Sequence, residues 1–187
     1  MELVVGRHHE RHPDDYYKTP PACTDALLVR ESFGIHIHEP ACGDGAISRV
    51  LESRNHVVYS HDMIYRGYGA GGPSFDFLAR KDPPVVWCDL VTNPPYALAD
   101  EFVLHAHALR YGKIALLLRL AWLEGEKRRQ TVFAKHPPIR VHVFSARQTL
   151  WKGDDPAART TGGMAAYAWF VWEPGFRGDP TLHWIAK

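Results

Sequence analysis

No CxxC pair, no long apolar run and no marked excess of charge occurs in this chain, and each lack removes a class of protein. The three cysteines, Cys23, Cys42 and Cys88, stand far apart, which argues against a structural zinc site or a disulfide framework and for a reducing, cytoplasmic setting. No stretch approaches the ~18 apolar residues of a membrane span, and no basic start leads into the apolar core of a secretion signal. The formal net charge is only +1, with 23% charged residues. No global field therefore draws the chain onto a polyanion, and any nucleic-acid contact has to come from a local patch. Internal repeats and low-complexity segments are missing as well.

What is present suits one domain. A length of 187 residues, 45% of them hydrophobic, can bury one large core but not two, so residues 1–187 are read as a single domain. Residues 1–13 are polar and histidine-rich with no sustained period, and are read as a flexible arm. Twelve histidines are many for this length. They cluster as His8, His9 and His12, as His36 and His38, and as His105 and His107, but no third ligand type stands at a recognisable spacing, so no metal site is expected.

Periodicity sets out an alternation of strands and helices. A short helix is expected over residues 24–33 with Thr24 or Asp25 near its cap, and a strand over 35–39. Residues 46–53 carry Ile47, Val50 and Leu51 at helical spacing. Strands follow over 56–60, with Asp62 at the end, and over 84–91; helices over 97–110 and 124–134; and further strands over 113–120, 139–144 and 165–172. The glycine-rich stretch 67–73 reads as a flexible loop that moves on substrate binding. Such alternation implies a mostly parallel sheet with crossover helices, and sites at the carboxyl ends of its strands.

Two turns fall at such ends. The first, Glu39-Pro40-Ala41-Cys42-Gly43-Asp44-Gly45, follows a strand and opens a helix, and its small residues let backbone approach a ligand where a side chain would clash. Asp62 ends the next strand 19 residues after Gly43, near the separation of about 20 at which an acidic group meets an adenosine ribose in Rossmann-type sites. A dinucleotide fingerprint would place its third glycine where this chain has Ser48. That departure, with Glu39 just ahead of the turn, favours an adenosyl sulfonium over a dinucleotide. The competing reading is a plain tight turn with Asp44 capping the helix.

The second turn is Asn93-Pro94-Pro95-Tyr96. Two successive prolines fix φ and remove two backbone donors, which leaves a rigid turn rich in acceptors. An exocyclic amine is a poor nucleophile because its lone pair is delocalised into the ring, and a site helps by accepting both of its N–H bonds. Asn93 Oδ1 and the Pro94 carbonyl have that chemistry, and the Tyr96 ring offers a face for a planar base, worth about 1–3 kcal/mol in single-strand recognition. The competing reading is a structural loop with Tyr96 packed in the core.

With these turns the sequence resembles the class I S-adenosylmethionine-dependent methyltransferases, in particular the N6-adenine DNA methyltransferase group and its short phage- and prophage-type members. The resemblance covers nearly the whole chain. It implies a Rossmann-like fold with a mostly parallel seven-stranded sheet in the order 3-2-1-4-5-7-6, its last strand antiparallel and supplied by the segment ending Tyr167-Ala168-Trp169-Phe170-Val171-Trp172; the third strand is poorly marked. It implies S-adenosyl-L-methionine as cofactor, held by Tyr17, Thr19 and Pro20 of the segment Asp15-Tyr16-Tyr17-Lys18-Thr19-Pro20-Pro21. Further cofactor contacts are implied for Glu39, Pro40, Ala41, Cys42, Gly43 and Gly45, for Asp62 and Met63, for Asp76 and Phe77, and for Asn93. Asn93, Pro94, Pro95 and Tyr96 would be catalytic, transferring a methyl group to N6 of adenine.

The large members of that group carry a target-recognition domain for which this chain has no obvious counterpart, so a homodimer or a separate partner is expected to supply specificity. Lys127, Arg128, Arg129, Arg140, Arg147, Lys152 and Arg159 offer positive charge and Trp151 a stacking surface, although Lys127, Arg128 and Arg129 read equally well as a solvated helix face. DNA is the favoured partner and RNA the main rival. A glutamine side chain in protein, or a nucleic-acid-binding relative without turnover, ranks lower, and no membrane partner is expected.

Overall fold

Pro20 and Pro21 open the first helix instead of delaying it. In the computed structural model, which describes residues 16–152 and 165–186, α1 spans Pro21–Arg30 with Pro20 as its cap. The missing proline N–H costs nothing in the first helical turn, where the donors have no intrahelical acceptor. The expected start at Thr24 or Asp25 is therefore corrected, and Thr24 is buried inside the helix. The arm at residues 1–13 with His8, His9 and His12, and also Asp15 and Arg159, lie outside the described residues, as do the side chains of Ser74, Trp151 and Lys152.

The strands are β1 (Tyr17–Lys18), β2 (His36–Glu39), β3 (Val57–Asp62), β4 (Ala70–Gly71), β5 (Asp89–Thr92), β6 (Ile114–Arg119), β7 (Arg140–Phe144), β8 (Trp151–Lys152), β9 (Tyr167–Trp172) and β10 (Thr181–Ile185). Eight of them form one sheet in the order β10-β7-β9-β6-β5-β2-β3-β4. Every neighbouring pair is parallel except those of β9, which runs antiparallel to β6 and β7. Without β10, this order is the expected 3-2-1-4-5-7-6. The eighth strand was not anticipated: residues 181–185 alternate, with Leu182 and Trp184 exposed and Ile185 buried, but they follow a run rich in glycine and proline. β1 and β8 pair antiparallel as a separate ribbon.

Alternation along the central strands divides the core. Ile114, Leu116 and Leu118 of β6 join Phe170 and Trp172 of β9 on one face, packed with Phe77, Leu90 and Phe102. Ala115 and Leu117 join Trp169 and Val171 on the other, with Leu27, Ile37, Leu51 and Val91. Residues two apart share a face, and a sheet covered on both faces needs apolar residues at every position, which is why these strands read as continuous hydrophobic runs. The buried indoles keep their donors occupied: Trp169 Nε1 donates to the Cys23 carbonyl at 2.8 Å and Trp172 Nε1 to the His136 carbonyl at 3.0 Å. No helix among the described residues is long and apolar enough to cross a membrane.

Three further expectations change. The strand expected over 84–91 begins only at Asp89; before it the chain turns, with Cys88 N bonded to the Val85 carbonyl at 3.3 Å, Trp87 at φ 63°, and Val86 and Trp87 exposed at 77% and 81%. Pro83 and Pro84 supply no donors to a ladder, so the apolar letters that follow them do not pair. The loop at 67–73 contains β4, held to β3 through His61↔Ala70 and Asp62↔Gly71. The helix expected over 124–134 is one short turn, α4 (Glu126–Arg128), continuing as a π-helical stretch at Arg129–Phe133. Residues 46–53 and 97–110 are helical much as expected, as α2 (Ala46–Ser53) and α3 (Ala99–Ala108).

Candidate active site

The glycine turn leads from β2 into α2 at the carboxyl edge of the sheet. Gly43 and Gly45 have φ of 56° and 84°, the left-handed region that an L side chain occupies only with strain. Space forbids a side chain too, since a Cβ at Gly43 would enter the Tyr16 ring and one at Gly45 the Tyr68 ring. Asp62 ties the turn to β3: its Oδ2 accepts from Gly43 N at 2.8 Å and its Oδ1 from Ile64 N at 2.9 Å. The 19-residue spacing thus has a direct structural cause. Each carboxylate oxygen keeps a further lone pair for a ligand.

Ser48, at the position of the absent third glycine, donates to the Glu39 carboxylate and lies 2.6 Å from Ser60 Oγ. Glu39 is 1% exposed, and burial, aided by the negative charges of Asp62 and Asp44, pushes its carboxyl well above the ordinary value despite the Ser48 bond. Burial, together with Glu39, pushes the Cys42 thiol up to about 12, which disfavours the thiolate. Asp44 does not cap α2; it pairs with Lys18, and Gly45 holds the cap position without a side-chain bond.

The second turn is tied to the amino-terminal segment. Asn93 Nδ2 donates to the Tyr17 carbonyl and to Thr19 Oγ1, both at 3.0 Å. A main-chain carbonyl can only accept, so this network fixes the amide orientation and leaves Oδ1 as the acceptor. That oxygen is buried with no hydrogen-bond partner, an arrangement that costs about 1–3 kcal/mol unless a ligand donates to it. The Tyr96 ring lies 5.3 Å from Tyr17 and 5.9 Å from Tyr167 between centroids, and the Arg119 guanidinium sits 5.0 Å from its centroid. Burial, with Tyr167 alongside, holds the Tyr96 hydroxyl well above its ordinary value.

Both turns open into one cavity of about 890 Å3. Its wall includes Tyr17, Thr19, Glu39, Pro40, Ala41, Cys42, Asp62 and Met63, with Asp76, Phe77 and the four residues Asn93, Pro94, Pro95 and Tyr96. Three expected residues are not on that wall: Pro20 caps α1, and Gly43 and Gly45 lie beneath the Tyr16 and Tyr68 rings. Asp76 lines the cavity and its Oδ1 accepts from Leu78 N at 3.1 Å, whereas Phe77 is 2% exposed and packs 4.7 Å from Phe102. Among the other wall residues, Ile64, Arg66, Leu98, Phe102 and Arg119 were not assigned to the site from sequence. Only Arg119 left a readable trace, as the lone charge closing an apolar strand.

The other charges and histidines largely serve the fold. Arg128 binds Asp100 Oδ1 at 2.6 Å, Arg129 binds Glu126 at 2.9 Å, and Arg140 is paired with Glu31 and Glu173. Lys127 and Arg147 are exposed. His38 is buried, joined to Tyr111 at 2.5 Å and to His61 at 3.0 Å, and burial lowers its pKa to about 2. His107 stacks on His136 with centroids 4.0 Å apart. No group of three or more metal-ligating side chains occurs among the described residues.

No protein-family model and no curated protein matches the sequence. Solved structures do resemble the fold. A protein of Agrobacterium tumefaciens described as a predicted O-methyltransferase superposes with a TM-score of 0.57 at 13% identity, covering 88% of this chain and 85% of that one. A Listeria monocytogenes protein provisionally described as a class I S-adenosylmethionine-dependent methyltransferase gives 0.54 at 11% identity and 87% coverage, and this chain spans 64% of its length. The fold is that of the class I methyltransferases. Within that Rossmann-like methyltransferase fold, β2, β3, β5 and β6 bring the glycine turn, Asp62, Asn93 and Arg119 to one edge of the sheet.

Proposed function

We propose that the protein is an S-adenosylmethionine-dependent methyltransferase that modifies the N6 amino group of adenine in DNA. The observation that carries this reading is Asn93: its amide is clamped by Tyr17 and Thr19, and its buried Oδ1 lacks a donor in the same cavity that the glycine turn enters. An unpaired acceptor beside a proline carbonyl suits an amine that has two N–H groups to donate, and it does nothing for a hydroxyl already deprotonated.

The residues present fit the cofactor. Gly43 and Gly45 keep side chains out of the turn, Asp62 has lone pairs for a ribose, and Glu39 offers a carboxyl that a cationic ligand would ionise. S-adenosylmethionine, when bound, supplies an electrophilic methyl on sulfur, so the carbon–nitrogen bond forms as the carbon–sulfur bond breaks. Asn93 Oδ1 and the Pro94 carbonyl orient the amine and draw its lone pair out of conjugation, while Tyr96 presents a ring to the base. One amine proton then leaves to solvent.

Transfer of labelled methyl to DNA, RNA and protein pools, with the modified nucleoside or residue identified by mass, tests the assignment. N6-methyladenine in DNA supports it, and label in RNA, in glutamine or on oxygen replaces it.

A further inference from the structure

Arg119 closes β6 at the rim of the cavity, exposed and with no carboxylate partner among the described residues. Of the other cations on the cavity wall, Lys18 is paired with Asp44, and Arg66 lies 4.4 Å over the Tyr16 ring and has a further partner. The guanidinium of Arg119 is held by aromatic side chains instead, 5.0 Å from the Tyr96 centroid and 5.9 Å from that of Tyr17, and it donates to the side chain of Tyr167, its partner across the β6–β9 ladder. Ring faces attract the cation without cancelling its charge, and the Tyr167 bond leaves most of the five guanidinium N–H donors unspent. The site therefore keeps a planar, positively charged fork beside the ring that is to receive the substrate.

Building on the methyl-transfer reading above, we infer that Arg119 binds the phosphodiester next to the target base. A base lying against Tyr96 carries its sugar and phosphate outward, to the rim where Arg119 stands, and a guanidinium engages a phosphate through paired N–H bonds. A glutamine side chain brings no such anion. Arg119 thus selects a nucleotide strand over a peptide and sets where the base enters, acting as a positioning residue and taking no part in the proton or methyl transfer.

The test uses the full chain and a single-stranded oligonucleotide with one adenine, made as DNA and as RNA, in which each phosphate in turn is replaced by an uncharged methylphosphonate. Arg119→Ala should raise KM for the oligonucleotide about tenfold, the loss expected for a hydrogen bond to a charged group, while kcat and the thermal shift with S-adenosylmethionine stay near the parent's. The slope of log KM against log salt should fall by about 0.7–1, and Arg119→Lys should recover part of the loss. In the parent one methylphosphonate, beside the target adenine, should cost about as much as the mutation, and in Arg119→Ala that position should cost nothing. Whichever of the DNA and RNA series shows this non-additivity identifies the strand that supplies the phosphate. Equal penalties in parent and variant at every position, or an unchanged salt slope, overturn the inference while leaving methyl transfer intact. A parent inactive on both nucleic acids removes the methyl-transfer reading and Arg119's role with it.

Discussion

Asn93 and Thr19 lie 74 residues apart in the chain, yet the amide nitrogen of one is 3.0 Å from the hydroxyl of the other. The amino-terminal segment thereby sets which way the Asn93 amide points, and the expected acceptor role of its Oδ1 depends on that. Thr19→Val removes one of the two acceptors and keeps the shape. It should lower kcat about three- to tenfold, in line with the ~1 kcal/mol of a single neutral hydrogen bond. Steady-state kinetics that show kcat unchanged would mean the Tyr17 carbonyl suffices to hold the amide.

Gly43→Ala tests the glycine turn. The added Cβ meets the Tyr16 ring at a residue whose φ is 56°, and left-handed strain alone costs about 1–2 kcal/mol. The variant should melt several degrees lower and lose its thermal shift with S-adenosylmethionine; an undiminished shift would place the cofactor elsewhere.

Glu39 gives a pH dependence of defined sign. Its folded pKa is raised above the ordinary 4.5 by burial, so its contribution to stability is complete below about pH 4.5 and is lost as pH rises through the folded value. Glu39→Gln keeps the Ser48 bond without the ionisation. The variant and parent should differ little in melting temperature at about pH 4, and the variant should be the more stable at about pH 8. Cofactor binding should release protons in the parent and not in the variant, as read by calorimetry in buffers of different ionisation enthalpy. A constant difference in melting temperature across the range would show that folding does not shift the Glu39 carboxyl.

Much of this site could be read from the sequence because its parts are local. The turn at residues 39–45, Asp62 and the turn at Asn93 each carry their meaning in consecutive residues or in one spacing. The parts that escaped are products of tertiary contact. Tyr16 and Tyr68 cover the glycines from two different loops, and Ser48 stands in a place where the sequence showed only a missing glycine. Arg119 gains its surroundings from rings on β1, β9 and the turn after β5. In the fold, β10 was hidden by the glycine and proline before it, and the run from Pro84 to Trp87 looked like a strand although its prolines and the positive φ of Trp87 prevent pairing. The carboxylate partners of Arg128 and Arg140 come from distant segments, so their structural role could not be told from a solvated or substrate-binding one.

Unpaired adenine should be the better substrate. Extrusion of a base from a duplex costs a few kcal/mol, and an unpaired adenine avoids that cost. Initial rates on single-stranded and mismatched DNA should exceed those on matched duplex; equal rates would show that the protein opens the duplex by means not visible in this cavity.

The central claim, that Asn93 orients an adenine amine for methylation, is tested most directly by comparing the parent with Asn93→Ala on single-stranded DNA under saturating S-adenosylmethionine. N6-methyladenine would be counted after digestion, and cofactor affinity measured in parallel. An interaction made chiefly in the transition state lowers the rate and spares ground-state binding. The parent should accumulate N6-methyladenine, and Asn93→Ala should lose about 100-fold or more in kcat, the scale seen on removing an electrostatic hydrogen-bonding group from a catalytic site, with cofactor affinity nearly unchanged. N6-methyladenine formed by Asn93→Ala as fast as by the parent, or no methyladenine from the parent on any DNA, would contradict the account.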